Sequence, residues 1–347
     1  MCLIAVTLKL LGEKSGFLFR TSASQNDDRL LPTHSGHSSF SIAAVQCWLA
    51  TRLASREAVS NARPLLKAAK LQSDVVNHVG TILERSLIAQ HYLNALDLPA
   101  LPPTLPYLND LIRRHIARLP FCSIGPRLGL DLPLDLPALF DRIVEHRRGG
   151  YCFEHNGLFF AMLAELGFDV QLLLARVIYN RNVHPGLTHR ITLVKFAAEK
   201  CIADVGFGPM GPRAAVGLSG APDVRGGQSY RVHEAQPSEW HVQLMKDGDW
   251  FSLYRFELLR YGEADCELGH FFSHRHPDAV FVNNLVASRI LDGEVRSLRN
   301  REYRVLRPEG DQARSIGDPE QLHAILLEEF DLTVTEAESN ILFENLP

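Results

Sequence analysis

The chain has 347 residues, 46% of them hydrophobic, and a formal charge of −4 at neutral pH, so it can form two or three packed units but offers no basic footprint for nucleic acid or an anionic membrane surface. No apolar run is long enough to span a bilayer, and the opening apolar stretch lacks the positive flank and cleavage site of a signal peptide. Six cysteines, at positions 2, 47, 122, 152, 201 and 266, form no CxxC pair, which argues against a disulfide framework and a zinc site and for a reducing, cytoplasmic setting.

Residues 1–80 carry little periodicity. The segment 20–41 is rich in Ser, Asp, His and Thr and reads as loop or disorder, while Ala43 to Leu71 offers one or two amphipathic helices. A partly disordered extension without catalytic function is expected there. From Thr81 the pattern tightens: Leu83, Leu87, Ile88 and Tyr92 share a helical face, as do Leu108, Leu111, Ile112 and Ile116, before Pro120-Phe121 breaks the second helix. Leu136 to His146 is a third helical pattern. A fourth starts at Cys152, with Leu158, Met162, Leu163 and Leu166 at helical spacing and Gly167 as its stop. Residues 81–167 therefore read as a helical bundle.

From Asp169 the period drops to two. Asp169 to Tyr179, Arg190 to Phe196, Lys200 to Val205, Tyr230 to His233 and Trp240 to Met245 are strand-like, and Asp247-Gly248 signals a two-residue hairpin. Residues 168–275 read as a β-barrel or strongly curved antiparallel sheet. In 276–347, Ala279 to Ile290 and Glu302 to Leu306 read as strands, Asp292-Gly293 as another hairpin, and Asp318-Pro319-Glu320 as the cap of a helix reaching Phe330. The fold class is α+β, built from three successive units.

The stretch Arg147-Arg148-Gly149-Gly150-Tyr151-Cys152 places a cysteine at a helix start, where unpaired N–H groups and the helix dipole favour a thiolate. A nucleophilic thiol needs a base and a carboxylate that orients the base. His189 begins one strand and Asp204 ends the next, and a short turn between antiparallel strands brings such positions together. Each has an ordinary reading: Cys152 as a buried hydrophobe, His189 as one of 15 histidines, Asp204 as a turn residue. Their joint placement is what points to a Cys-His-Asp nucleophile. His274-Arg275-His276 has no third ligand in matching context and reads as a solvated turn, so no metal is expected.

Arg148-Gly149-Gly150-Tyr151-Cys152-Phe153-Glu154-His155-Asn156, Thr188-His189 and Asp204-Val205-Gly206-Phe207-Gly208 place the cysteine, histidine and aspartate 37 and 15 residues apart. Together they resemble the arylamine N-acetyltransferase family. His276-Pro277-Asp278-Ala279-Val280-Phe281-Val282-Asn283-Asn284-Leu285 and Leu298-Arg299-Asn300-Arg301-Glu302 are also similar to it, so the resemblance runs from about Ile88 to the end.

The resemblance implies a helical bundle, a β-barrel and an α/β lid. It also implies ping-pong chemistry in which Cys152 takes an acetyl group from acetyl-CoA and passes it to an aromatic amine, hydrazine or N-hydroxyarylamine, with His189 as base, Asp204 as its orienting partner and no metal. Phe121 and Phe207 match positions that line the acceptor pocket, with ordinary core aromatics as the other reading. Gly206, Gly208 and Gly211 would admit CoA phosphates, or else serve as turn glycines.

Two departures stand out. The family usually has an acidic residue after the Pro-Phe pair, able to pair with Arg148, where this chain has Cys122; and Pro209-Met210 intervenes before Gly211. The rival readings are a Cys-His-Asp amide-forming or hydrolytic enzyme with another acyl donor, and a non-catalytic binding protein of the same fold.

Overall fold

The computed structural model describes residues 84–225 and 227–347; the readings for 1–80, including the loop at 20–41 and the helices at 43–71, lie outside the described residues. Helix α1 covers 84–96, and α2 (Leu105–Arg118) follows, with Thr104 accepting the Tyr107 N–H at its start. The stripe Leu108, Leu111, Ile112 and Ile116 of α2 is buried in one core with Tyr92, Leu93 and Leu96 of α1, as the helical spacing requires.

Pro120 ends this helical stretch, and the next two residues form strand β1 (Phe121–Cys122). Short α3 (Ile124–Arg127) and α4 (Leu136–Phe140) follow, the latter capped by Asp135 and continued by a wider π-turn over Asp141–Glu145. Then comes α5 (Cys152–Glu165), released at Gly167.

Eight antiparallel strands form the central sheet: β2 (Asp169–Val177), β3 (His189–Lys195), β4 (Lys200–Ala203), β5 (Val216–Gly217), β6 (Asp223–Arg225), β7 (Gln228–Gln236), β8 (Glu239–Lys246) and β9 (Asp249–Phe256). Their order is β5-β4-β3-β2-β9-β8-β7-β6, and the sheet curls until β5 meets β7, making a nearly closed barrel. Period two is visible in β2: Leu173 and Ala175 join the barrel core with Ile191, Val232 and Leu253, whereas Leu172 and Leu174 pack with Cys152 and Phe153. Asp247-Gly248 is the β8–β9 turn, both residues at positive φ, as that sequence signals.

The C-terminal part departs from the sequence reading at two places. Helix α6 (Glu263–Arg275) stands where no helix was expected, so His274 sits within a helix, buried, donating from Nδ1 to the His270 carbonyl at 2.7 Å rather than in a solvated turn. The physical reason is an inverted pattern. Leu268, Phe271 and Phe272 of α6 face outwards while His270, Ser273 and His274 face inwards, so hydrophobic periodicity has no signal to give.

Residues 279–290 are likewise not one strand: α7 (Val280–Asn283) precedes β10 (Val286–Leu291). The amides of Asn283 and Asn284 reach the carbonyls of Ala279 and Val280 at 3.0 and 3.1 Å and close the helical turn. A second sheet runs β1-β10-β11-β12-β13, with β11 (Glu294–Arg299), β12 (Glu302–Leu306) and β13 (Gln312–Ser315), and Phe121 and Cys122 register with Ser288 and Ala287. Helix α8 (Pro319–Ala324), capped by Asp318 and continued as a π-turn through Glu329, and α9 (Glu336–Glu344) complete the chain. Among the described residues no helix is long and apolar enough to cross a membrane.

Candidate active site

The first half of helix α5 is enclosed: every residue from Tyr151 to Phe159 is buried. A polar side chain there is costly unless it is paired, and the partners of Glu154, His155 and Asn156 describe the site's framework. Glu154 accepts the Tyr151 N–H at 3.1 Å and lies 2.7 Å from Arg142 Nε, which anchors the helix start.

His155 donates from Nε2 to the Pro120 carbonyl at 3.1 Å, so its Nδ1 is an acceptor, filled by His115 Nε2–H at 2.8 Å. His115 Nδ1 in turn accepts the Tyr92 hydroxyl at 2.7 Å. A parallel chain runs from Tyr151, whose hydroxyl donates to His270 Nδ1 at 2.6 Å, while His270 Nε2–H reaches the Leu132 carbonyl at 2.7 Å. Each ring in these two chains is held neutral with one defined tautomer. Burial, ahead of every other cause, holds His155 and His270 down to about 4.

Cys152, only 3% exposed, opens α5, and its thiol points at the Thr188 carbonyl, 3.5 Å away, one residue before His189. His189 Nε2 meets Asp204 Oδ2 at 2.7 Å, both side chains being almost wholly buried. Asn156 braces the carboxylate from behind: its Nδ2 donates to Asp204 Oδ1 at 2.8 Å and to the Arg190 carbonyl at 2.6 Å, while its Oδ1 accepts the Val205 N–H at 3.0 Å. The Gly206 N–H adds a further bond to Asp204 Oδ1 at 2.9 Å. Burial pushes this carboxyl up, yet His189, Asn156 and the Gly206 N–H together outweigh it and hold Asp204 below its usual range.

Cys152 behaves differently from the expectation for a helix start. Burial first, and then the Asp204 charge, push its thiol well up, and the N–H groups of Phe153 and Arg190 only partly offset this. The helix terminus alone therefore does not make a thiolate.

Phe207 packs edge-on against His189, with ring centroids 5.3 Å apart, and Phe121 clusters with Cys152, Tyr151 and Phe153. Gly206 is accounted for by close packing: a Cβ there would stand 2.9 Å from Cys152 Cα and 2.8 Å from Asn156 Nδ2. Gly208, at positive φ, and Gly211 close a tight turn through the Gly211 N–H and the Gly208 carbonyl at 3.0 Å. His274 touches only the outer end of this framework, through His270, and among the described residues no group of three or more His, Cys, Asp or Glu is placed to hold a metal ion.

Four residues escaped the sequence reading of roles. Asn156, Glu154 and Phe281 lie within the quoted motifs without an assigned part; Phe281 places its ring 5.8 Å from Phe121 and 5.1 Å from Tyr151. Tyr254 packs 4.9 Å from the His189 ring, and burial and then the Asp204 charge push its phenol well up. Nothing local to Tyr254 marks it.

A thiol, an imidazole and a carboxylate set in this order form the arrangement by which enzymes carry acyl groups on sulfur. The N-acetyltransferase family model matches residues 104–339. The arylamine N-acetyltransferase of Escherichia coli is 34% identical, the match covering 69% of this chain and 86% of that one. The structure of Mycobacterium marinum arylamine N-acetyltransferase superposes with a TM-score of 0.71 at 29% identity, covering 75% of this chain and 100% of that one. The same enzyme in complex with CoA gives 0.70 at 29% identity, covering 74% and 99%. The chain belongs to the arylamine N-acetyltransferase family and is an acyltransferase.

Proposed function

We propose that this chain transfers the acetyl group of acetyl-CoA to an arylamine, hydrazine or N-hydroxyarylamine by a ping-pong route through a Cys152 thioester. The observation that carries the proposal is the buried 2.7 Å contact between His189 and Asp204 beside a cysteine at a helix start. An ionised carboxylate only accepts, so Nε2 of His189 carries a proton and Nδ1 is its basic position. His189 takes the Cys152 proton and the sulfur attacks the donor's thioester carbonyl. The N–H groups of Phe153 and Arg190, which face the sulfur, would hold the tetrahedral oxyanion. Collapse of the intermediate expels CoA, which takes the proton from His189.

In the second half-reaction the amine attacks the acetyl-thioester, His189 accepts the amine proton, and the Cys152 sulfur leaves and takes that proton back from His189. Exchange of one thioester for another is nearly isoenergetic, which suits sulfur as the carrier. Tyr151, Phe121, Phe281 and Phe207 provide the apolar walls that keep water from the acyl-enzyme. The Gly208 to Gly211 turn, next to Phe207, is the reading's place for the donor's phosphates. The strands that follow β9 act as a lid in the same reading. Free thiols at Cys122, Cys152, Cys201 and Cys266 fit a reducing cytoplasmic setting.

The test is titration of released thiol after mixing protein with acetyl-CoA. One equivalent of CoA without acceptor, and continuous release with an arylamine or hydrazine, are expected. Cys152→Ala is expected to abolish both and leave the melting temperature almost unchanged. Release of no CoA, or an active Cys152→Ala protein, defeats the proposal.

A further inference from the structure

Arg147, Arg148 and Gly149, shortly before the nucleophile helix, are fastened by one stretch of the C-terminal unit. The Arg147 carbonyl accepts the Thr333 N–H at 2.9 Å, and its guanidinium meets Asp331 at 2.5 Å. Arg148 donates from Nη1 to Glu338 Oε2 at 2.8 Å and to the Thr333 carbonyl at 2.9 Å, and from Nη2 to Glu338 Oε1 at 2.5 Å. Gly149 takes φ +66°, and a Cβ there would lie 2.7 Å from Leu332 Cδ2 and equally close to Cys122 Sγ. Strand β1 holds the other side, with the Cys122 N–H on the Gly150 carbonyl at 2.6 Å and its thiol on the Arg148 carbonyl at 3.4 Å.

Glu338 is itself pre-set. It stands in the first turn of α9, where its Oε2 accepts the Thr335 N–H at 2.9 Å and the Thr335 hydroxyl at 3.1 Å. Its carboxyl is held down to about 2, the Arg148 hydrogen bond being the largest cause. Arg148 and Glu338 expose only 22% and 24% of their side chains, so this two-pronged bridge is partly shielded from water and stronger than a surface pair. Cys122 does not duplicate it. Burial pushes the Cys122 thiol up to about 12, which leaves it neutral, and it reaches only the Arg148 backbone.

Only Gly149, Gly150 and Tyr151 separate Arg148 from Cys152. Two glycines in a row have no side chains with which to hold their own position, so the loop's ordering comes from the β1 contact at Gly150 and from the anchors at its ends. We propose that Glu338, through its two-pronged hold on Arg148, is a positioning residue that sets the attack geometry of Cys152. The proposal rests on the reading of Cys152 as the acyl carrier.

The experiment is stopped-flow release of CoA from acetyl-CoA by wild type, Glu338→Gln and Arg148→Lys, with Glu302→Gln as a control that removes a lid ion pair remote from the loop. Burst amplitude counts folded, competent sites. The rate constant at saturating donor reports positioning. Glu338→Gln is expected to lower that rate constant between about tenfold and a hundredfold, as misplacement of a reacting group by an ångström does, whatever happens to the amplitude, while the control stays within twofold of wild type.

A rate constant within twofold of wild type, with or without a smaller amplitude, overturns the proposal, because a merely structural role removes sites without slowing the rest. If Glu338→Gln does not fold, Arg148→Lys, which keeps the charge but not the fork, is judged by the same criterion. A wild-type protein that releases no CoA defeats the acyl-carrier reading instead. The rate of Cys152 alkylation by iodoacetamide, mapped by peptide mass, then decides on Glu338 by the same margins.

Discussion

Acid should unfold this protein earlier than its carboxylates alone require. His155 and His270 are buried, neutral, and committed on both ring nitrogens: each donates one N–H to a carbonyl and accepts at the other nitrogen. A second proton on either ring removes an acceptor and buries a charge. Both are therefore held down to about 4 in the folded chain, against an unfolded value of about 6.5.

Between those two values the unfolded state binds more protons, so stability rises with pH there and is lost as pH falls from about 6.5 towards 4. For each histidine the loss amounts to about 2 kcal/mol at pH 5 and about 3 kcal/mol once the pH is below 4. His115, also held well below its usual range by burial, adds to it. The assay is urea unfolding followed by tryptophan fluorescence from pH 7.5 to 5.0, above the range in which Asp204 and Glu338 release their contributions. Wild type is expected to lose at least about 4 kcal/mol across that interval. His155→Gln, which keeps an N–H for the Pro120 carbonyl but cannot titrate, should lose about 2 kcal/mol less across it, whatever its stability at pH 7.5. A flat wild-type profile, or the same slope in both proteins, refutes the assignment of these two rings as buried neutral groups.

Two further outcomes concern the reacting centre. Asp204→Asn keeps the shape of the contact but can present its N–H to His189, reversing the tautomer, and should slow acyl transfer by about a thousandfold or more with little change in donor KM; a rate within tenfold of wild type would remove Asp204 from its role. Gly206→Ala places a methyl 2.9 Å from Cys152 Cα, so the backbone at the helix start must shift. A destabilisation of about 1–3 kcal/mol is expected from such overpacking, together with slower CoA release, and calorimetry plus the burst assay will show whether both occur.

The candidate residues Cys152, His189 and Asp204 were legible because their signals are local. A glycine pair before an apolar helix places Cys152, and strand ends place His189 and Asp204, each within a window of a few residues. What escaped depends on contacts between distant segments or on polar groups facing inwards. Asn156 lies on the right helix, but the apolar period that reveals α5 says nothing about a buried amide. Tyr254 reaches His189 only because β9 pairs with β2, the strand beside β3, which joins segments far apart along the chain. Helix α6 was missed because its apolar residues face outwards. At Cys152 burial opposes the thiolate that the helix dipole favours, a balance that a sequence cannot weigh.

Arg148 marks the division most clearly. Sequence alone carried the α+β succession, pointed to Cys152, His189 and Asp204 as candidates, and showed that the usual acidic neighbour of Arg148 is replaced by Cys122. Tertiary structure alone decided what Arg148 pairs with, because Glu338 is 190 residues away along the chain. Secondary structure is written in short-range periodicity, whereas an ion pair depends only on where the folded backbone carries two charges.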